Sequence, residues 1–241
     1  MPATFTETED AENGAGFALS PQQVRYFETF GYLRLGGLFR REIADITAAF
    51  EEVFAAEQDP FVVPENPYHR SRDPRFAERP RLTVVGIESR HPVFDRLRSD
   101  PRVLTVARRL LGDGAEYQNT DANLFYCDVY WHLDGYGTTT TEEHIKLYFY
   151  LDALRADSGA LRVIPGSQHE GSEYASDLRR LFFDIESTTD QIGVELDEIP
   201  SHTIEVDPGD VVVGNFRTIH GSFHGGPRRR LITMDFHRGG V

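Results

Sequence analysis

Cysteine is almost missing from this chain: Cys127 is the one example in 241 residues. A single thiol excludes an internal disulfide, and no cysteine cluster is available for structural zinc. That usage fits a reducing, cytoplasmic setting. No apolar run reaches the roughly 18 residues that a membrane-spanning helix needs. The N-terminus lacks the basic-then-apolar order of a secretory signal. Residues 1–17 are rich in Thr, Glu, Ala and Gly, and are read as a disordered tail. Positive charge is in deficit, with 25 Lys and Arg against 39 Asp and Glu, a net charge of −14. An acidic surface repels phosphate backbones and anionic lipid, so nucleic acid and membrane are not expected partners. No segment repeats with the period of a solenoid or propeller.

Aromatic and aliphatic residues are plentiful by contrast. The hydrophobic fraction is 39%, with 17 Phe and 10 Tyr, enough for one core in a single domain over residues 18–241. The first third reads as helical. Ser20 and Pro21 suit an N-cap and first helical position, followed by Val24, Phe27 and Phe30, and Gly31 stops the helix. Tyr32–Leu35 reads as a short strand. A second helix is expected over about 40–57, with Ile43, Ile46, Phe50, Val53 and Phe54 on one face. The polar stretch 59–80 reads as a long loop and a candidate lid, carrying Tyr68, His69, Arg70 and Arg72. A third helix follows Pro101.

From about residue 116 the pattern turns to strands. They are expected at 123–131, 144–152, 160–164, 203–206, 211–214 and 230–236, with turns at Pro165-Gly166-Ser167 and Pro208-Gly209-Asp210. Residues 173–186 read as an inserted helix or loop. Helices first and a β-rich body afterwards predict a mainly β fold, a jelly roll buttressed by helices.

Nine histidines offer metal candidates. In Tyr130-Trp131-His132-Leu133-Asp134, strand alternation points His132 and Asp134 to one side. His220, after the strand at 211–214, is the third candidate. Two imidazoles and one carboxylate on one face of an octahedron leave three positions free, which suits Fe(II) chemistry with a bidentate 2-oxo acid and O2. A His-x-Asp triplet arises easily by chance in such a chain, so the pair alone carries little.

The surrounding blocks carry more. His144-Ile145-Lys146-Leu147-Tyr148-Phe149-Tyr150-Leu151-Asp152, then Ser158 to His169, then Pro208-Gly209-Asp210-Val211-Val212-Val213 with Arg217-Thr218-Ile219-His220-Gly221-Ser222 resemble the phytanoyl-CoA dioxygenase family, ectoine hydroxylases among them. The Phe-Gly-Tyr-Leu core of residues 30–33 fits the same resemblance. It implies a double-stranded β-helix (cupin-like jelly roll), Fe(II) held by His132, Asp134 and His220, and 2-oxoglutarate and O2 as cosubstrates.

The resemblance also implies an arginine for the distal carboxylate of 2-oxoglutarate on the strand after His220. A buried carboxylate needs such a partner, and a guanidinium fork fits it. Arg228, Arg229 and Arg230 compete for the role. Arg229 is in phase with Leu231, Thr233 and Asp235 and is preferred, with Arg230 the alternative. Ser222 is implied to reach the same carboxylate, and Asn123 and Tyr148 to line the cosubstrate pocket. Lys146 and Tyr150 share the face of Tyr148, and Lys146 and His224 are candidates for contact with substrate.

The activity implied is hydroxylation of an unactivated C–H of a metabolite or natural-product intermediate, with 2-oxoglutarate converted to succinate and CO2. Asp134 disfavours halogenation, because related halogenases replace that carboxylate with a small residue. The competing reading is a non-redox metal-binding jelly roll, a cupin-like isomerase or binding protein. The segment 135–143, with four consecutive threonines, is expected to overhang the metal and to take part in substrate choice.

Overall fold

A computed structural model describes residues 16–63, 69–71, 74–134, 143–169, 171–183, 193–195, 198–226 and 228–239. Five helices and twelve strands lie among these residues. In chain order they are α1 (Pro21–Phe30), β1 (Tyr32–Leu35), α2 (Ile43–Ala56), β2 (Phe61–Val63), β3 (His69–Arg70), β4 (Arg81–Val85), α3 (Pro92–Arg98) and α4 (Pro101–Leu111). Then follow β5 (Ala115–Phe125), β6 (Asp128–His132), β7 (His144–Tyr150), β8 (Leu161–Val163), α5 (Glu173–Phe183), β9 (His202–Ile204), β10 (Val211–Asn215), β11 (His220–Ser222) and β12 (Arg229–Arg238). None of the described helices is long and apolar enough to cross a membrane.

The strands form two antiparallel sheets. The larger runs β1-β10-β7-β12-β5-β4-β2, and the smaller β3-β6-β11-β8-β9. This is the jelly-roll arrangement expected from the sequence, with helices applied from outside. Alternation divides the large sheet into two chemistries. Ile145, Leu147, Phe149, Val211, Val213, Ile232, Met234 and Phe236 form one buried apolar face that joins the helical residues Phe27, Ile46, Phe50, Phe94, Val103 and Val106. The opposite face of the same strands carries Lys146, Tyr148 and Tyr150 and turns to the space between the sheets. On the small sheet, Trp131, Ile164, Ile219 and Phe223 pack with Leu178 of α5 and Ile199.

Local signals account for the helix ends. Ser20 and Gln23 form a reciprocal capping box, and Gly31 closes α1 in the left-handed region at φ 79°. Asp100 caps α4 by accepting from Arg102 N, with Pro101 at the first position. Helix α2 begins at Ile43, later than expected, with no side-chain cap.

Three expectations are corrected. The strand anticipated at 123–131 is two strands in different sheets. Tyr126 N donates to Pro80 O at 2.8 Å, and buried Asp128 accepts from Gly225 N at 2.9 Å, so the chain steps across at Tyr126 and Cys127. The stretch 59–80 is not all loop, since it holds β2 and β3, too short to show alternation. Strand β4 and helix α3 went unread. Tyr68 and Arg72 of the expected lid, residues 135–142 of the expected overhang and residues 1–15 of the expected tail lie outside the described residues.

The Pro208-Gly209-Asp210 turn ties the helical layer to the large sheet. Asp210 is 1% exposed; it accepts from Arg34 Nε and Nη2 (2.9 and 2.6 Å), Gly37 N (2.6 Å) and Asp207 N (2.9 Å). Arg34 itself is 41% exposed at the side chain and rehydrates easily. Asp210→Ala is therefore expected to lower unfolding free energy by about 2–3 kcal/mol, because it strands two backbone donors that bond a charged group. Arg34→Ala should lose about 1 kcal/mol or less. Urea denaturation measures both, and equal losses would show that the backbone donors contribute nothing.

Candidate active site

Strands β6 and β11 are neighbours, and their register sets His220 directly opposite His132. The two rings lie 4.3 Å apart. Asp134 stands just past the end of β6, where its N–H donates to Phe216 O at 3.1 Å. One ligand atom from each of His132, Asp134 and His220 lies within 4.8 Å of the others. Asp134 Oδ2 is 3.7 Å from His220 Nε2. Donors on metal bonds of roughly 2 Å sit about 3–4 Å apart, so small side-chain movements bring all three onto one cation.

The ring orientations fit that use. His132 Nδ1 lies 2.8 Å from Tyr130 O, and His220 Nδ1 lies 2.9 Å from Thr218 O. A carbonyl accepts only, so each Nδ1 carries the proton and each Nε2 keeps a lone pair facing the cluster. Burial, with His220 beside it, pushes His132 well below the ordinary imidazole range, so it stays neutral as a ligand must. Burial works against ionising Asp134, but the Lys146 ammonium and the two imidazoles hold its carboxyl well below the usual range.

A cavity of about 110 Å³ opens from this cluster into the space between the sheets. Arg229 lines it and is 8% exposed. Its guanidinium donates to Gly159 O at 2.8 Å, to Ser222 Oγ and to Cys127 O, while Nε has no protein partner. Gly159 permits the approach: at φ 88° it suits no side chain, and a Cβ there would lie 2.6 Å from Arg229 Nη1. Burial lowers the pKa of Arg229. Leu231 and Thr233, in phase with Arg229, line the same cavity.

The remaining residues singled out in the sequence divide. Asn123 is fully buried; its Oδ1 accepts from Arg81 Nε and Nη2 (3.1 and 2.7 Å) and from Thr83 Oγ1 (2.9 Å), and its Nδ2 donates to Thr233 Oγ1 at 3.2 Å. Tyr148 donates to Asp134 Oδ2 at 2.8 Å, and Lys146 to Asp134 Oδ1 at 2.6 Å. These two touch the metal cluster rather than a distant part of the cavity. Arg230, the alternative to Arg229, also borders the cavity, with its guanidinium in ion pairs with Asp152 (2.5 Å) and Glu51 (2.8 Å). Arg228 pairs with Glu51 at 2.5 Å. His224 is exposed, at φ 60°, and is not among the residues that line this cavity.

Arg81 and His69, not singled out as site residues in the sequence, also line the cavity. Arg81 lines the cavity from β4, 5.0 Å above the Phe125 ring. Its signal was the Arg-x-Thr-x-Val alternation at the start of an unread strand. His69, from β3, is buried in the wall, and burial together with Arg81 pushes it down to about 3. Asp235, on the strand of Arg229, is pushed up to about 7 by burial and by the Asp134 and Asp121 carboxylates, against the pull of Lys146.

Residues 27–230 match the phytanoyl-CoA dioxygenase (PhyH) family. An ectoine dioxygenase of Bordetella bronchiseptica is 27% identical over 229 residues, covering 85% of this chain and 70% of that one. Among solved structures, the non-heme alpha-ketoglutarate-dependent carbocyclase SnoK superposes with a TM-score of 0.69 at 20% identity, covering 94% and 85% of the two chains. EctD from S. alaskensis, solved with 2-oxoglutarate and 5-hydroxyectoine, gives 0.65 at 22% identity, covering 96% and 78%. The two structures share the fold, and the family match spans most of the sequence: this chain belongs to the phytanoyl-CoA dioxygenase family.

Proposed function

We propose that His132, Asp134 and His220 hold a single ferrous ion in this chain, a 2-oxoglutarate-dependent non-haem iron dioxygenase acting on a small molecule, and that Arg229 and Ser222 bind the distal carboxylate of 2-oxoglutarate. One observation carries the reading: a three-donor cluster and a buried guanidinium share one cavity between the two sheets. A non-redox jelly roll needs the first and has no use for the second.

The donor set fits iron. Two imidazoles and one carboxylate, on and just past adjoining strands, leave half of an octahedron for a bidentate 2-oxo acid and O2. When bound, iron and 2-oxoglutarate supply the oxidising chemistry, with loss of CO2 to succinate. The protein supplies orientation. Backbone carbonyls of Tyr130 and Thr218 fix the imidazoles, Lys146 and Tyr148 fix the Asp134 carboxylate, and Asn123 holds the Arg81 side chain over Phe125. Arg229 offers Nε and a guanidinium edge already turned by Ser222, Gly159 and Cys127. The surrounding Phe125, Val129, Leu154 and Leu161 exclude water.

We read residues 18–241 as one catalytic domain and the reaction as hydroxylation of a metabolite or natural-product intermediate. Buried, free Cys127 accords with a reducing, cytoplasmic setting.

His132→Ala and His220→Ala should each lower iron-dependent conversion of 2-oxoglutarate to succinate at least about 100-fold, the upper end of what losing even an outer-shell partner costs. EDTA should abolish the same activity and Fe(II) restore it. Full turnover in either variant would refute the ligand assignment. Arg229→Ala should raise the 2-oxoglutarate concentration for half-maximal turnover by about 10–100-fold, the worth of one or two charged hydrogen bonds. Arg230→Ala should leave it unchanged, and the reverse result would transfer the carboxylate role to Arg230.

A further inference from the structure

Lys146 is the only lysine among the 25 Lys and Arg of this chain; every other cationic side chain is arginine. It lies on β7 with its ammonium 2.6 Å from Asp134 Oδ1, where the side chain is only 16% exposed. We infer that Lys146 is a positioning residue that makes Asp134 a one-oxygen metal ligand, and that this role requires an ammonium rather than a guanidinium. The inference rests on the metal-site reading above.

The two carboxylate oxygens of Asp134 have different surroundings. Oδ2 is the one near His220 Nε2, at 3.7 Å, and it accepts from Tyr148. Oδ1 is capped by Lys146. The Lys146 ammonium repels a second cation from Oδ1, whereas the Tyr148 hydroxyl is neutral and leaves Oδ2 a second lone pair for a metal. A carboxylate binding through both oxygens would take one of the positions that a 2-oxo acid and O2 require.

Arginine would fail here for a geometric reason. Its planar fork matches a carboxylate with two parallel hydrogen bonds and tends to take both oxygens. The chain shows that arrangement at Arg102, which bonds both oxygens of Asp100, through Nε to Oδ1 at 2.9 Å and through Nη2 to Oδ2 at 2.8 Å. A lysine ammonium is a compact point charge that caps one oxygen and leaves the other.

An ammonium this close to a divalent cation needs a counter-charge of its own. Asp235, the cross-strand partner of Lys146 on β12, provides it at 3.9 Å. Asp235 is buried, and its Oδ1 accepts no hydrogen bond from the protein. The Phe216 ring lies 5.0 Å from the ammonium and adds a cation–π contact. Once a metal occupies Asp134, Asp235 is the carboxylate left to balance Lys146.

Co(II) titration followed by visible absorption tests this without turnover, using the full chain and the variants Lys146→Arg, Lys146→Met and Lys146→Met/Asp235→Asn. The double variant removes both charges together and guards against misfolding from a stranded Asp235. Each variant is expected to bind Co(II) about 10–100-fold more weakly than wild type, as when other outer-shell partners of metal ligands are lost. Lys146→Arg, which keeps the charge, should not rescue binding, and its Co(II) spectrum should differ from wild type. Thermal melts of the metal-free proteins should stay close together for Lys146→Arg and the double variant. Wild-type affinity in Lys146→Arg would reduce Lys146 to a generic charge and overturn the inference, while leaving the ligand assignment intact. If His132→Ala binds Co(II) as tightly as wild type, the ligand assignment itself fails.

Discussion

The pairing of β6 with β11 is the constraint on which the site depends. It sets His220 opposite His132, from segments almost ninety residues apart. Each imidazole leans through Nδ1 on a carbonyl two residues back in its own segment, Tyr130 O for His132 and Thr218 O for His220. The strands therefore position the rings, and what positions the strands is packing. Trp131 and Ile219, the residues just before the two histidines, sit with Phe223 in one apolar cluster on the far face of the small sheet. Alternation then delivers the histidines to the near face. A one-residue slip in either strand would exchange histidine for tryptophan or isoleucine, so the cluster under α5 guards the register of the metal ligands.

That logic also explains how much of the site was legible in the sequence. Period-two alternation is local information: it singled out His132 with Asp134, which cluster with His220, and it favoured Arg229, which is buried in the cavity wall. Ser20, Pro21, Asp100 and Pro101 mark helix starts through chemistry confined to a few residues. What stayed hidden depends on contacts between distant segments. The break between β5 and β6 is set by Pro80 and Gly225, neither near it in sequence. Arg81 faces the cavity because β4 pairs with β5, and β4 had no long apolar run to announce it. Lys146 reads in the sequence as a candidate for substrate contact; in the structure it meets Asp134, just past β6, and Asp235 within β12. His224, exposed and at φ 60°, is not among the residues that line the cavity.

The interior charges follow a consistent pattern. At the surface Arg228 pairs with Glu51, and Arg230, less exposed, pairs with Glu51 and Asp152. Between the sheets the two interior cations are treated differently. Asp134 and Asp235 share Lys146 near the histidines, while Arg229 meets neutral acceptors, two carbonyls and a hydroxyl. None of the described carboxylates forms an ion pair with Arg229.

A buried guanidinium with no ion pair among the described residues, acted on only by the more distant carboxylates of Asp128 and Asp152, is a poor choice for stability. Replacing such a group by a well-packed apolar side chain of similar volume is often neutral or stabilising. Gly159 and Gly225 make the point sharper, because each omits a side chain where a Cβ would come within 2.7 Å of the Arg229 side chain. The surroundings thus give up apolar packing to admit a cation that the fold does not need. The same residues make sense if the missing counter-charge arrives with a ligand. A dicarboxylate held at one end by a metal and at the other by this guanidinium would complete both ends at once, and its second carboxylate would find hydrogen-bond donors already turned toward it. The burial that penalises Arg229 in the free protein then strengthens its attraction for that carboxylate, since little water is left to compete.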